Sequence, residues 1–436
     1  MSQPVQPALV RAMGRWSLAA LAVNTIIGGG IFGLPSLVAG LVGRASVLAV
    51  VIAGVAIAVI LACYAEVASR FTQTGGTYLY VREAFGRFAG IVVGWFLLLT
   101  ALTARAAVAN LFVIYLGEFW PQAANPISRF LILTLLVGAL TAVNYRGVGA
   151  GANVSNVFVV AKLVPLSLVC LAGAFYLIAT HRVMPAASVT AGVGAWLQAM
   201  LLLFFAYGGA TYALLPSGEA KDPRRHAAFA MFVALALVTL IYTLIQWAVV
   251  GVLPDPEHSA RPLADVARIL MGKGGAALIA VGALLSVIGY FSASMLTVPR
   301  LTFALAEQGD FPYWFAAVHR VFRTPYVSIL VVAIVIWLLA LVGSFAWNVT
   351  LSAVARLLYY GMVCAALPAL RKKHPGAASV GLPGGPAFAV VGVVICLVLF
   401  AGVNFGESLI LIATFSMALL NWLAVRRGAP TFSPPR

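Results

Sequence analysis

Acidic residues are scarce in this chain: 11 Asp and Glu among 436 residues, against 27 Lys and Arg. Charged side chains of both signs make up 9% of the sequence, where soluble domains carry roughly 25%. That shortage excludes an ordinary soluble globular protein, whose wetted surface needs far more charge. Cysteine is rarer still. Cys63, Cys170, Cys364 and Cys396 all fall in apolar stretches, with neither disulfide-framework nor metal-ligand spacing. The five histidines are scattered, with no pair three or four residues apart, so no metal site is expected. No Gly-x-x-x-x-Gly-Lys-Ser/Thr loop occurs, which leaves nothing in this chain to drive an ATP-powered pump.

Long apolar runs take the place of the missing charge. Hydrophobic residues make up 63% of the chain, and a membrane-crossing helix needs about 20 nearly in succession. Residues 45–63, ASVLAVVIAGVAIAVILAC, contain no charge at all. Twelve windows are expected to be spanning helices, at about 16–40, 45–68, 88–115, 129–145, 154–179, 193–216, 228–252, 276–299, 325–342, 346–367, 386–402 and 407–425. The expected fold class is an all-α polytopic membrane protein, a single transmembrane domain over 1–436 with no separate soluble unit. The first window follows Arg11 and Arg15 as a leader's would. It exceeds the apolar region of a signal peptide (about 7–15 residues) and no small-residue cleavage site follows, so it is read as a retained helix. The longest expected external connection, 253–275, has room for one brief helix around 263–271.

The basic residues are distributed unevenly. With the N-terminus inside, eighteen Lys and Arg fall on cytoplasmic connections, among them Arg70, Arg82, Arg146, Arg320 and Lys373. Six fall outside (Arg44, Arg129, Arg182, Arg261, Arg268 and Lys273), and Arg105, Lys162 and Arg356 lie inside windows. This is the positive-inside pattern. The net charge of +16 therefore needs no nucleic acid to explain it, and both termini are expected on the cytoplasmic side of a cell's inner membrane.

Residues 24–36, NTIIGGGIFGLPS, put three consecutive glycines in the middle of the first window, where each costs a helix about 1 kcal/mol relative to alanine. Gly28-x-Gly30-x-x-Gly33 matches a dinucleotide fingerprint, but that motif needs a preceding strand in a soluble βαβ unit. Close helix packing through small residues is a second reading. The third is an interrupted helix. Residues 204–212, FFAYGGATY, favour it, because they put paired glycines midway along the sixth window. Windows one and six open two five-helix sets, 16–180 and 193–367, and interrupted segments at matching positions mark the inverted repeat of secondary transporters. A break bares N–H groups at the start of one half-helix and carbonyls at the end of the other. Such groups are tolerated at membrane depth only where they line a cavity or are buried in protein. The N–H ends, at the positive pole of the helix dipole, suit a carboxylate; the carbonyl ends suit an ammonium. The α-carbon end of a free amino acid carries both.

The same residues resemble a known family. TIIGGGIFGLP in the first window, YAEVASRFTQTGGTYLYVREAFGRFAGIVVGW (64–95), FAYGGATY followed by GEAKDPRR (218–225), and PRLTFALAEQGDFP (299–312) carry the resemblance. Together they resemble the amino acid–polyamine–organocation (APC) superfamily, in particular bacterial permeases related to the L-type amino acid transporters. The similarity runs from residue 16 to about 325, and the last two windows, 386–425, match in hydropathy alone. The resemblance implies a LeuT-type 5+5 inverted repeat within twelve transmembrane helices, with helices 1 and 6 broken. It also implies sodium-independent amino acid transport by alternating access, proton-coupled or, as the alternative, by exchange.

The resemblance further implies roles for named residues. Amides of Gly28, Gly29 and Gly30 would meet the substrate carboxylate. Carbonyls near Ile26, Phe205 and Gly208 would meet its ammonium, with Gly209 in the same break and Phe205 closing over the substrate. Thr211 stands where relatives often carry Glu or Asn, and Ala210 where a bulky aromatic is common, so side-chain preference does not carry over. Lys162 is a charge at membrane depth and thereby a functional candidate. It matches a fifth-helix lysine that takes the place of a sodium ion in relatives, bridging a carbonyl near Ile27 or Gly28 and the hydroxyl of Ser294.

Arg105 and Arg356 lie within windows three and ten, either capping carbonyls between helices or partnering an acidic substrate. No carboxylate occurs at their depth to hold a cationic side chain, which puts neutral amino acids ahead of cationic ones as substrates. Glu219, Lys221, Asp222 and Arg224 form either a solvated cluster or an inner-gate network. No cofactor is expected. An embedded enzyme would need a cluster of ionisable groups at one depth, and a channel a polar ring or carbonyl filter; neither is visible. With no external cysteine to join a glycoprotein partner, a monomer or homodimer in the bilayer is expected.

Overall fold

The computed structural model describes residues 15–71, 76–146, 152–181, 191–211, 223–375 and 381–426. Among them the chain forms α-helices joined by short 3-10 turns, and no strand. The first apolar window is divided into α1 (Arg15–Ile26) and α2 (Leu34–Val42), with a 3-10 turn at Gly29–Phe32 between them. There follow α3 (Ser46–Ser69), α4 (Gly76–Phe85), α5 (Arg87–Leu116), α6 (Pro126–Tyr145), α7 (Ala152–Ala179) and α8 (Val193–Ala206). The remainder is α9 (Pro223–Val252), α10 (Pro262–Glu307), α11 (Tyr326–Val342), α12 (Phe345–Lys373), α13 (Gly385–Phe400) and α14 (Phe405–Val425). Eight stretches of the described chain are long and apolar enough to cross a membrane, and α8, α11 and α13 are shorter apolar helices.

Within α10, Gly272 adopts φ 72°, ψ −166°, a conformation that L side chains avoid. It separates a short helix, 262–271, from the apolar span that follows. Pro262 opens that short helix, where a missing N–H is no loss.

The core is built around α5, which is buried along most of its length and packs against α12, α10, α11 and α14. Its middle, ALTARAAVAN, is rich in alanine, and small residues let neighbouring helices approach closely where hydrophobicity alone gives no drive to associate. The broken elements lie beside it: α1 packs on α9, α2 on α8, and α8 on α12.

Two buried carboxylates sit at or near helix ends, each with two arginines. Asp310 is fully buried and accepts from Tyr78, from Arg82 (2.9 Å) and from Arg87 Nε (2.6 Å), while Asn421 donates to its backbone carbonyl (2.8 Å). This one residue thereby ties α4, α5 and α14 to the end of α10. Glu66, 1% exposed, likewise accepts from Arg70 (2.8 Å), Arg371 (2.6 Å) and the Leu382 amide (3.0 Å), joining α3, α12 and the approach to α13. A buried charge is tolerated when it is paired and hydrogen-bonded, so two acids suffice to pin several helices.

Candidate functional site

The first helix stops where its side chains run out. Ile27 still donates its amide to Val23 O (2.9 Å), but the Gly28 amide turns back to Ile26 O (2.8 Å) and Gly28 is extended, φ −91°, ψ −165°. The chain makes one 3-10 turn and re-enters a helix at Leu34, with Pro35 in its first turn. Side chains from three other helices meet the carbonyls along the broken segment. Lys162, on α7 and 8% exposed, donates to Asn24 O (2.6 Å) and Ile27 O (2.7 Å). Tyr115 on α5 donates to Phe32 O (2.7 Å), and Gln246 on α9 to Pro35 O (3.1 Å). Buried backbone must find partners, and here they come from fixed points on α5, α7 and α9.

α8 ends at Ala206, where the amides of Tyr207 and Gly208 close on Leu203 O (3.1 Å) and Phe205 O (3.0 Å). The neighbours explain the two glycines that follow. A Cβ on Gly209 would collide with the backbone carbonyl of Thr25, and one on Gly208 would fall within the guanidinium of Arg356. The turn that follows α8 and the end of α1 therefore touch backbone to backbone. The carbonyls that end α1 and α8 converge on a single hydroxyl: Tyr242 of α9 shares its proton between Ile26 O and Ala206 O, 3.3 Å from each. Two helix C-termini meeting at membrane depth make a spot that favours positive charge.

Two further observations shape the space. The Phe205 ring covers Gly30, so that a Cβ there would lie 2.9 Å from ring carbon Cε1. Beside Gly28, by contrast, a Cβ would meet nothing within 4 Å. Open space thus adjoins the extended glycine, and the amides just beyond it, at the start of the 3-10 turn, have no preceding turn to bond to.

The structure brings together Ile26, Gly28, Gly29, Gly30, Phe205, Gly208, Gly209 and Arg356. Thr211 is half-buried and is the last described residue before 212–222. Glu219, Lys221 and Asp222 lie outside the described residues, and of Arg224 only the backbone, in α9, is described. Ser294 donates its hydroxyl to Tyr290 O within α10, while the second acceptor of Lys162 is Asn24 O. Arg105 is buried, donates to Ala101 O in its own helix (2.7 Å) and places its guanidinium 5.5 Å from the centre of the Tyr290 ring. Tyr242 and Gln246 were missed by sequence reasoning. Their signal was present, since polar groups four apart share one face of an otherwise apolar helix. Away from this site, Asp255, Glu257 and His258 gather in an exposed turn, held by the His258–Asp255 pair at 2.8 Å.

Residues 13–424 match the family described as Amino acid permease. The chain belongs to that family. An uncharacterized transporter of Mycobacterium tuberculosis is 30% identical over 410 residues, covering 92% of this chain and 89% of the relative. The methylthioribose transporter of Bacillus subtilis is 27% identical over 420 residues, covering 91% and 89%. The serine/threonine exchanger of the same organism is 27% identical over 398 residues, covering 88% and 90%. The resemblance to amino acid permeases read in the glycine segments is thus shown across nearly the whole chain. It is a multi-pass membrane protein whose family and relatives are transporters rather than enzymes.

Proposed function

We propose that this protein moves a free amino acid across the membrane by alternating access, without sodium and with proton coupling. The substrate carboxylate sits beside the extended Gly28 on the amides of Gly29 and Gly30, the expected Gly28 amide being already taken by Ile26 O, and its ammonium on the carbonyl ends of α1 and α8. One observation carries this: the last carbonyls of α1 and α8 meet at Tyr242, and glycine amides open a new helical turn just past the first of them. Backbone acceptors and donors then lie side by side, and a zwitterion is the small molecule that uses both.

The architecture that goes with this is twelve spans in a 5+5 inverted repeat, 16–180 and 193–367, with 386–425 outside it and both termini cytoplasmic. Its support is the interruption at Gly28 in the first helix of one set and the end of α8 at Ala206 in the first helix of the other. Lys162 holds its ammonium where an ion would otherwise neutralise the carbonyl ends of α1. Releasing that proton as α1 moves would couple transport to pH. Exchange of one amino acid for another is the alternative mode of the same site.

Uptake into proteoliposomes, with and without a pH gradient and preceded by a thermal-shift screen of the twenty amino acids, tests the proposal. Saturable, stereoselective flux and counterflow are expected. A protein stabilised by methylthioribose, which offers neither carboxylate nor ammonium, and by no amino acid, would overturn it.

Two variants sharpen the site. Gly28→Ala should fold with an unaltered melting temperature, because the methyl enters open space. The same methyl occupies the carboxylate's place, so binding should weaken about tenfold or more, a cost of roughly 1.4 kcal/mol; isothermal titration reads both. Arg356 keeps a positive charge against Gly208, and like charges in juxtaposition cost several kcal/mol. Wild-type protein should therefore reject lysine and arginine, and Arg356→Gln should improve their competition with a neutral substrate at least about tenfold. Lysine uptake by the wild type would remove that role.

A further inference from the structure

α6 turns most of its surface outward: 11% of its spanning window is buried. Between it and α11 runs a groove of about 730 Å³, walled by Thr134, Thr141, Ala333 and Trp337 and closed at one end by Arg146 and Phe322. That volume lies within the roughly 300–1,000 Å³ of sites that hold small molecules. The floor is notched at Gly138, where a Cβ would meet nothing within 4 Å. The threonine hydroxyls along the groove are already committed inside the protein. Thr134 donates to Phe130 O (2.7 Å) and accepts from Trp337 Nε1 (3.0 Å), and Thr141 donates to Val137 O (2.6 Å). What the groove offers an occupant along most of its length is hydrocarbon.

Its end offers the opposite. Thr324 donates to Tyr145 O (2.9 Å), and the rings of His319 and Phe322 pack on Tyr145. The segment carrying Arg320 and Arg323 is thereby fastened beside Arg146, and all three arginines are exposed. No acidic residue occurs between Glu118 and Glu219, nor between Asp310 and Glu407, so neither strand of chain forming this corner supplies a counter-charge. An apolar trough that ends in exposed cations matches a molecule with a long hydrocarbon chain and an anionic head.

We propose that the α6–α11 groove is a fixed site for an anionic phospholipid, one acyl chain lying over Gly138 and the phosphate held by Arg146 and Arg323. Basic pockets between spanning helices bind such head groups on the cytoplasmic side, where this end lies in the topology proposed above.

Purified protein in detergent micelles doped with phosphatidylglycerol or with phosphatidylcholine decides the matter, read by melting temperature and by native mass spectrometry. Phosphatidylglycerol should stabilise the protein more and stay bound in the gas phase. The double variant Arg146→Gln/Arg323→Gln should weaken its retention about thirtyfold, on a basis of about one cation's worth of attraction per arginine. Gly138→Trp should fill the notch and lose the retained lipid at an unchanged melting temperature in undoped micelles. Should that variant fail to fold, the double variant, altered at exposed positions alone, still decides. Equal retention of both lipids, a preference that survives the double variant, or the same stabilisation by soluble glycerol phosphate would overturn the proposal. So would a lipid-independent dimer that Gly138→Trp dissociates, since the groove would then hold a second copy.

Discussion

Replacing Lys162 with alanine is expected to bring uptake in proteoliposomes to the background of protein-free vesicles. The ammonium is the donor to two carbonyls, Asn24 O and Ile27 O, on either side of the point where α1 ends. Each buried acceptor left without a donor costs about 1–3 kcal/mol. The segment therefore loses the contact that holds the break open against α7. Lys162→Met keeps the aliphatic stem and removes only the charge, so it separates packing from electrostatics; it should be as inactive as the alanine variant while melting closer to the wild type. Initial uptake rates at matched reconstitution, measured across pH 5–8, check both. A Lys162 variant with wild-type rates and wild-type pH dependence would end the lysine's part in transport.

Gly209→Ala should abolish transport by a different route and cost the most stability of any site glycine. The colliding atom is the Thr25 carbonyl, part of a backbone with no rotamer to give way, so the two segments must separate. Overpacking of this kind costs about 1–3 kcal/mol. At Gly208 the obstacle is the end of a flexible arginine, and at Gly28 there is none. Alanine variants should therefore lower the melting temperature in the order 209, 208, 28. A different order, or a Gly209→Ala protein that transports normally, would show that the segments do not cross where the structure places them.

The helices were legible in the sequence because the bilayer imposes one rule on every span. Residues 45–68, read from an uncharged apolar run, became Ser46–Ser69, and 407–425 became Phe405–Val425. The short helix expected around 263–271 is present, ended by Gly272. The first interruption was legible too, since three glycines in an apolar window have few structural uses. The partners that hold it were harder to see. Lys162 stood out as a charge at membrane depth, but the four-residue spacing of Tyr242 and Gln246 marks only a shared face until their acceptors, Ile26 O, Ala206 O and Pro35 O, are known. Those acceptors are backbone atoms, and composition says nothing about where a carbonyl points.

Composition and pattern alone determined that the chain is built of membrane-spanning helices, that most of its charge lies at their ends, and that glycines fall in the middle of the first and sixth windows. These are local consequences of keeping every backbone group bonded in hydrocarbon. Only the tertiary structure decided that Gly209 lies on Thr25, that Arg356 lies on Gly208, and that Asp310 gathers Tyr78, Arg82 and Arg87. Those contacts join residues far apart in the chain, and which helices meet is fixed by the packing of whole surfaces, a property that no single window of sequence carries.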